Sequence, residues 1–391
     1  MKKLITTLLA LCLMNSASFS DVKLGIIIGF TGPIESLAPD MAAGAEAAID
    51  EVNKSGSFSM GNVSVVRASS TCIDSSAATA AAERLITSDK IQGIMGADCS
   101  GVTTAILQQV AMANGIAMIS PSATSPALST VEDNNLFFRT APSDARGGEV
   151  LADITSDRGI TSVAITYVNT DYGVGLADVY EAAAEARGIE VTAKTAHEGD
   201  KADYSAEVGV LSAAGGDALV VIGYLDQGGN QIIQGSLDSG AFDTFVLSDG
   251  MIGDSLTDTF GSDLDGSFGS MPGSTGAGAQ KFKAYAEANG VNPSVYVGES
   301  YDAAALIVLA MAKGGSSDSA SIAANIMSVA NGPGTKIYAG ELAKGLELAS
   351  AGFAVDYDGA TDVNFTEVGE AFGAFLEKGI EGGVFTTVSQ R

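Results

Sequence analysis

The stretch from Ile91 to Pro126 constrains this chain most. An apolar run, Ile91-Gln92-Gly93-Ile94-Met95, ends at Gly96-Ala97-Asp98-Cys99-Ser100. Val102, Ala105, Ile106, Gln109, Val110 and Ala113 then recur at helix spacing. A second short apolar run, Ile116 to Ile119, breaks into a loop rich in Ser, Thr and Pro from Ser120 to Pro126. Strand, helix, strand, loop is the repeat of a parallel sheet. In such a sheet the two loops lie side by side at the carboxyl edge, where ligands bind. Both loops carry hydroxyls and the first opens a helix, whose free N–H groups suit a small anion such as a carboxylate. The same residues also read as a Ser N-cap followed by an ordinary Pro turn.

The rhythm extends in both directions. Val22 to Phe30 is a nearly continuous apolar run, as in a strand buried on both faces. Met41 to Val52 and Ser75 to Thr87 read as helices, and Asn62 to Ala68 as a strand. Asn135 to Pro142 reads as a crossing, after which the pattern restarts. Strands are expected at Val163 to Val168, Val191 to Thr195, Ala218 to Ile222 and Thr244 to Leu247, with helices at Val174 to Arg187, Tyr204 to Ala213 and Gln227 to Ser239. Gly266 to Gly278 reads as a second crossing. Helices follow at 280–289, 299–313, 318–329 and 340–348, then strand-like pieces at 353–357, 371–376 and 384–388. Two doubly wound α/β halves with a C-terminal return explain this order, and the cleft between them is a natural small-molecule site.

Lys2 and Lys3, the apolar Leu4 to Met14 and the small residues Ser18 and Ser20 have the layout of a secretory leader cut before Asp21. Cys12 lacks the small residue before it that lipidation would want, since Leu11 stands there. Loss of this leader removes two lysines and takes the net charge from −27 to −29. Such acidity argues against nucleic acid and anionic membranes as partners. In an exported chain the remaining pair, Cys72 and Cys99, reads as one disulfide.

Catalytic signatures are scarce. There is no P-loop, no Gly-x-Ser-x-Gly elbow and no dinucleotide fingerprint, because Pro33 sits where the helix should open. The single histidine, His197, lies in a polar stretch and reads as a surface residue rather than a general base. Asp356-x-Asp358-Gly359 lacks the remaining ligands of a calcium loop and reads as a turn.

Seven segments in order carry a resemblance: Gly29-Phe30-Thr31-Gly32-Pro33; Cys72 and Cys99 with Ser100; Ile119 to Thr124; Asp171-Tyr172-Gly173-Val174-Gly175; Ile222-Gly223-Tyr224; Ser248-Asp249-Gly250; and Val355 to Ala360. Together they make the chain similar to the periplasmic solute-binding proteins of branched-chain amino acid ABC transporters. The likeness implies the type I periplasmic binding protein fold, two three-layer α/β/α lobes joined by a multi-segment hinge. Residues 21–141 and 274–353 would form the first lobe, and 142–273 and 354–391 the second. It implies a monomeric, non-enzymatic, cofactor-free periplasmic receptor that passes a free amino acid to the transmembrane subunits of a permease. Ser100 and Thr124 would bind the ligand carboxylate with hydroxyls and Ser122 with its backbone N–H, all from lobe one. Asp249 of lobe two would pair with the ammonium, where the leucine/isoleucine/valine binders carry a glutamate. Tyr172, Tyr224 and Tyr296 match aromatic positions of the cleft, and an aromatic after the Gly-Pro loop falls near Leu37. Residue chemistry alone leaves Asp249 open as a turn former before Gly250 and the tyrosines as core-edge aromatics. Another solute (an amide, urea or an aromatic carboxylate) and a signalling role are the competing readings.

Overall fold

A computed structural model describes residues 22–391; the expected leader lies outside them. Two parallel sheets dominate. The first has five strands in the order Val63–Ser69, Val22–Ile28, Gly93–Gly96, Met118–Ser120, Phe137–Arg139. The second has seven strands. Its parallel part runs Glu190–His197, Ser162–Val168, Ala218–Ile222, Phe245–Leu247, Phe268–Pro272, and Phe375–Glu381 and Val384–Gln390 add antiparallel at the edge. In both sheets the first strand in sequence pairs with the second on one side and the third on the other. Winding therefore reverses beside the first strand in each, and crevices open at the carboxyl ends there. The first crevice lies between Gly29 and Asp98, the second between Val168 and Gly223.

The central strands are buried on both faces, as their unbroken apolar runs require. Helix Ala38–Ser55 crosses helix Val297–Gly314 closely enough that a Cβ on Gly44 would meet the Val297 carbonyl at 2.4 Å. Every residue from Val297 to Ala312 is buried. This helix is the spine of lobe one, and no described helix is long and apolar enough to cross a membrane.

Three differences from the sequence reading stand out. Phe137–Arg139 and Phe268–Pro272, both read as crossings, are fifth strands of their parallel arrays. Val355–Gly359 pairs with Thr335–Tyr338 in a separate two-stranded sheet against the lobe-one helices. The boundary expected at 353/354 therefore falls later, and the chain returns to the second sheet only at Phe375. His197 is buried, at 1% exposure, rather than on the surface, because the strand that carries it ends beneath Tyr204.

The crossings lie side by side. The Arg139 N–H donates to the Gly369 carbonyl, the Ala371 N–H to the Arg139 carbonyl, and the Gly273 N–H to the Ala374 carbonyl. Arg139 is 1% exposed and pairs with Glu370. Its Nη1 also donates to the carbonyls of Ala123 and Ser125, at 3.0 and 2.9 Å. One guanidinium thus ties the hinge to the Ser-rich loop.

Candidate functional site

On the lobe-one wall, strand Gly93–Gly96 delivers Asp98 into the interior. Its Oδ2 accepts the Gly29 N–H at 2.5 Å and its Oδ1 the Ser70 hydroxyl at 2.6 Å. Burial raises the Asp98 carboxyl and these donors work against that rise. A Cβ on Gly29 would sit 2.9 Å from the Asp98 oxygen, so only glycine allows this approach. The next residue, Cys99, is joined to Cys72 by a disulfide with Cα atoms 5.1 Å apart. Three strand ends are thus pinned around Ser100, which opens the helical stretch to Asn114.

The Ser100 Oγ accepts the Ser125 N–H at 3.1 Å, locking the two loops together. The Ser122 hydroxyl donates to the Asp98 carbonyl at 3.0 Å, and its N–H reaches Ser120 Oγ only at 3.3 Å. The Thr124 Oγ1 is buried and has no hydrogen-bond partner.

The lobe-two wall is aromatic. Thr170 caps helix Asp171–Ala186 and sets Tyr172 in its first turn. Tyr224 follows strand Ala218–Ile222, and the two rings stack with centroids 5.3 Å apart. Asp249, in a 3-10 turn after strand Phe245–Leu247, is 7% exposed. Its Oδ1 accepts the Tyr172 hydroxyl at 2.7 Å and its Oδ2 accepts the Tyr296 hydroxyl. Tyr296 caps the lobe-one spine helix with φ at 63°, a left-handed conformation that a tyrosine adopts only under constraint. Its bond to Asp249 therefore crosses the cleft.

Other contacts close the lips. The Ser36 N–H donates to Asp226 Oδ2 at 2.8 Å, the Asp226 N–H to the Pro33 carbonyl at 3.0 Å, and the Ser125 hydroxyl to the Asp171 carbonyl at 3.0 Å. Between the walls lies a cavity of about 30 Å³. Ser100, Ser122, Tyr172, Tyr224, Asp249 and Tyr296 line it together with Ile34, Leu37 and Met41. Six of the seven ligand residues expected from the sequence therefore meet in one cavity; Thr124 stands behind them. A volume this size holds one or two waters, so a larger solute enters only when the lobes part.

Asp144 was not foreseen. It is 3% exposed, its N–H donates to the Thr124 carbonyl at 2.8 Å, and its Oδ2 has no partner. Burial, then the nearby Asp249 charge, pushes its carboxyl well above the usual range. Asp249 is also raised by burial, against the hydroxyls of Tyr296 and Tyr172. In the sequence, Ser143-Asp144 looks only like a helix cap. Nothing there signals that the crossing carries this turn to the cleft. No Lys or Arg lines the cavity. The tyrosine phenols are raised by burial and remain donors. Asp98 also lines the cavity, but its two oxygens are taken by Gly29 and Ser70. Asp249 faces the Ser100 and Ser122 side with only phenol donors and no cation, which suits a solute with a cationic pole.

Comparison with known proteins agrees with this fold. The chain belongs to the periplasmic binding protein family, whose model matches residues 21–339. Leu/Ile/Val-binding protein homolog 3 of Brucella melitensis is 32% identical over 216 residues, 55% of this chain; the match spans only 57% of that curated relative's length. The chemotactic signal transduction system substrate-binding protein BasB of Halobacterium salinarum is 28% identical over 91% of this chain and 86% of its own. Among solved structures, a leucine binding protein LivK from Thermotoga maritima has a TM-score of 0.77 at 22% identity, covering 94% of this chain and 98% of its own. A solute-binding protein from Rhodopseudomonas palustris in complex with 4-hydroxybenzoate has a TM-score of 0.75 at 16% identity, covering 95% and 97%. At these identities the two structures establish the fold alone.

Proposed function

We propose that this chain is the exported, monomeric solute receptor of an ABC importer. It captures a free aliphatic amino acid, branched-chain in the first instance, between its lobes and hands it to the permease's transmembrane subunits. Ser100 and the Ser122 N–H receive the carboxylate, Thr124 backs them from behind the wall, and Asp249 receives the ammonium. Tyr172, Tyr224 and Tyr296 enclose the side chain. The observation that carries the reading is the buried Asp249 carboxylate in a cavity without a lysine or arginine. An aromatic carboxylate held by Ser100 and Ser122 would bring no ammonium to Asp249 and would leave that buried carboxylate without an opposite charge. The apolar lining by Ile34, Leu37 and Met41 and the names of the Leu/Ile/Val-binding relatives support an aliphatic side chain.

Splitting the poles between two lobes makes closure depend on the solute, because only the shut form presents both. The test is a thermal-shift panel of the common amino acids. A ligand at a hundred times its dissociation constant adds about 2.7 kcal/mol. The chain has no Trp, so a dye or calorimetry reads the transition. A shift with leucine, isoleucine or valine is expected. A shift only with benzoates would transfer the site to aromatic acids. A sensory role has one specific support, the chemotactic relative matched over 91% of this chain.

A further inference from the structure

Beside the small cavity, beyond Leu37 and Tyr296, which border both spaces, lies a groove of about 600 Å³ walled by the two lobes. That is the size of a ligand site. Three aromatic rings face it, Phe282, Tyr296 and Phe385. Its charged groups are four carboxylates, Asp40, Asp254, Asp258 and Glu299, against Lys283 and Lys378.

Most of these groups are already provided for. Asp40 Oδ2 accepts from Asn292 and Ser294, at 2.7 and 3.0 Å. Asp254 and Asp258 are exposed to solvent. The Lys378 ammonium donates to Thr387 at 2.9 Å. Glu299 differs. It is 4% exposed, it lines the groove, and among the described residues no other residue donates to its carboxyl. Its own carbonyl accepts the Thr140 hydroxyl at 2.8 Å, which fixes the backbone at this point. Burial, with a smaller push from Asp302, takes the Glu299 carboxyl up to about 8. A buried acid whose carboxyl receives only its own backbone N–H is costly.

We propose that this groove binds an organic ammonium ion, received by Glu299 and flanked by the rings of Phe282, Tyr296 and Phe385. An entering ammonium offsets the burial that raises Glu299 and favours release of its proton to solvent. The resulting carboxylate plus aromatic faces is the combination that recognises alkylammonium groups. The ammonium has two possible sources. One is a free amine lying beside the central cavity. The other is the terminal ammonium of a solute whose α end lies in that cavity and whose chain passes Leu37 and Tyr296.

Calorimetry on the full mature chain separates them, with 1,5-diaminopentane as the free amine and lysine against norleucine for the tethered one. Saturable binding is expected, with Glu299→Gln weakening the amine by about tenfold or more and leaving norleucine within about twofold. An effect on diaminopentane identifies the free amine; an effect on lysine beyond that on norleucine identifies the tethered one. Phe385→Leu, a half-buried position at the core's edge where leucine keeps an apolar contact, lowers amine affinity by about threefold and carries the test if Glu299→Gln does not fold. The proposal is overturned if neither amine binds saturably, or if both variants leave amine binding unchanged. Should amines bind while no common amino acid shifts the melting transition, the amino acid reading falls and the groove assignment stands.

Discussion

The two walls of the cleft stand on sheets wound in the same order, yet they are built from different materials. The lobe-one wall is held by covalent and backbone links: the Cys72–Cys99 disulfide, Asp98 gripping Gly29 and Ser70, and Arg139 gripping the carbonyls of Ala123 and Ser125. The lobe-two wall is held by side chains: stacked tyrosines and a carboxylate fixed by phenol hydroxyls. Identical winding explains why both sites sit at the reversal of strand order. It does not explain polarity, which comes from what each loop carries. One wall is a frame of donors set before the solute arrives. The other completes its grip only when Tyr296 reaches Asp249 from across the cleft.

Arg139→Met would break the frame most severely. It strands Glu370 and two buried carbonyls, and loss of one partner of a buried pair costs about 3–5 kcal/mol. Denaturant unfolding should show that loss, and solute affinity should fall as the loop loosens. Loss of stability with unchanged affinity would mean that the loop holds its shape without the hinge.

Replacing Cys72 and Cys99 together by alanine should cost ~3–4 kcal/mol by loop-closure entropy, for cysteines separated by 27 residues. The comparison sharpens if affinity also drops, because the bond holds Cys99 beside Ser100 on the wall of the cavity opposite Asp249. Asp249→Asn should act the opposite way, with the melting temperature of the solute-free protein nearly kept and amino acid affinity reduced by about a hundredfold. Equal damage to stability from both changes would erase the distinction between the walls.

The effect confined to the narrowest conditions concerns His197, behind the lobe-two wall. Burial lowers its pKa from 6.5 to about 4. Between those values the unfolded chain binds the proton and the native state does not, so stability falls as pH drops from about 6.5 to about 4, by up to about 3 kcal/mol. Relative to wild type, His197→Gln should flatten the pH–stability curve in that window and leave it unchanged above pH 7. Thr166 already bonds Nδ1 at 2.8 Å, so a parallel pair of curves would mean that Nε2, which has no partner, gains one in the native state.

Much of this was legible in the chain. Long apolar runs such as Val22 to Phe30 marked the central strands, and hydroxyl-rich loops after Met95 and Ile119 marked one wall. The parts that stayed hidden share a cause. Phe137–Arg139 and Phe268–Pro272 are three and five residues long and run straight into crossings, so Gly, Ser and Pro nearby outweighed their periodicity. Val355–Gly359 reads like any strand, and only pairing with Thr335–Tyr338 assigns its sheet. Asp144 and Arg139 gain their meaning from three chain crossings brought side by side, a juxtaposition that no local pattern encodes. Thr124 was expected from its loop to line the cleft, and its place behind the cavity wall depends on that same juxtaposition.

The central claim is that opposite walls hold opposite poles of one solute. Calorimetric comparison of leucine with its two half-molecules, 4-methylpentanoate and 3-methylbutylamine, tests it most directly. The expected result is saturable binding of leucine, with each half-molecule weaker by about a hundredfold or more, since each lacks one set of charge-assisted hydrogen bonds. If 4-methylpentanoate binds as tightly as leucine, Asp249 holds no ammonium and the account is wrong.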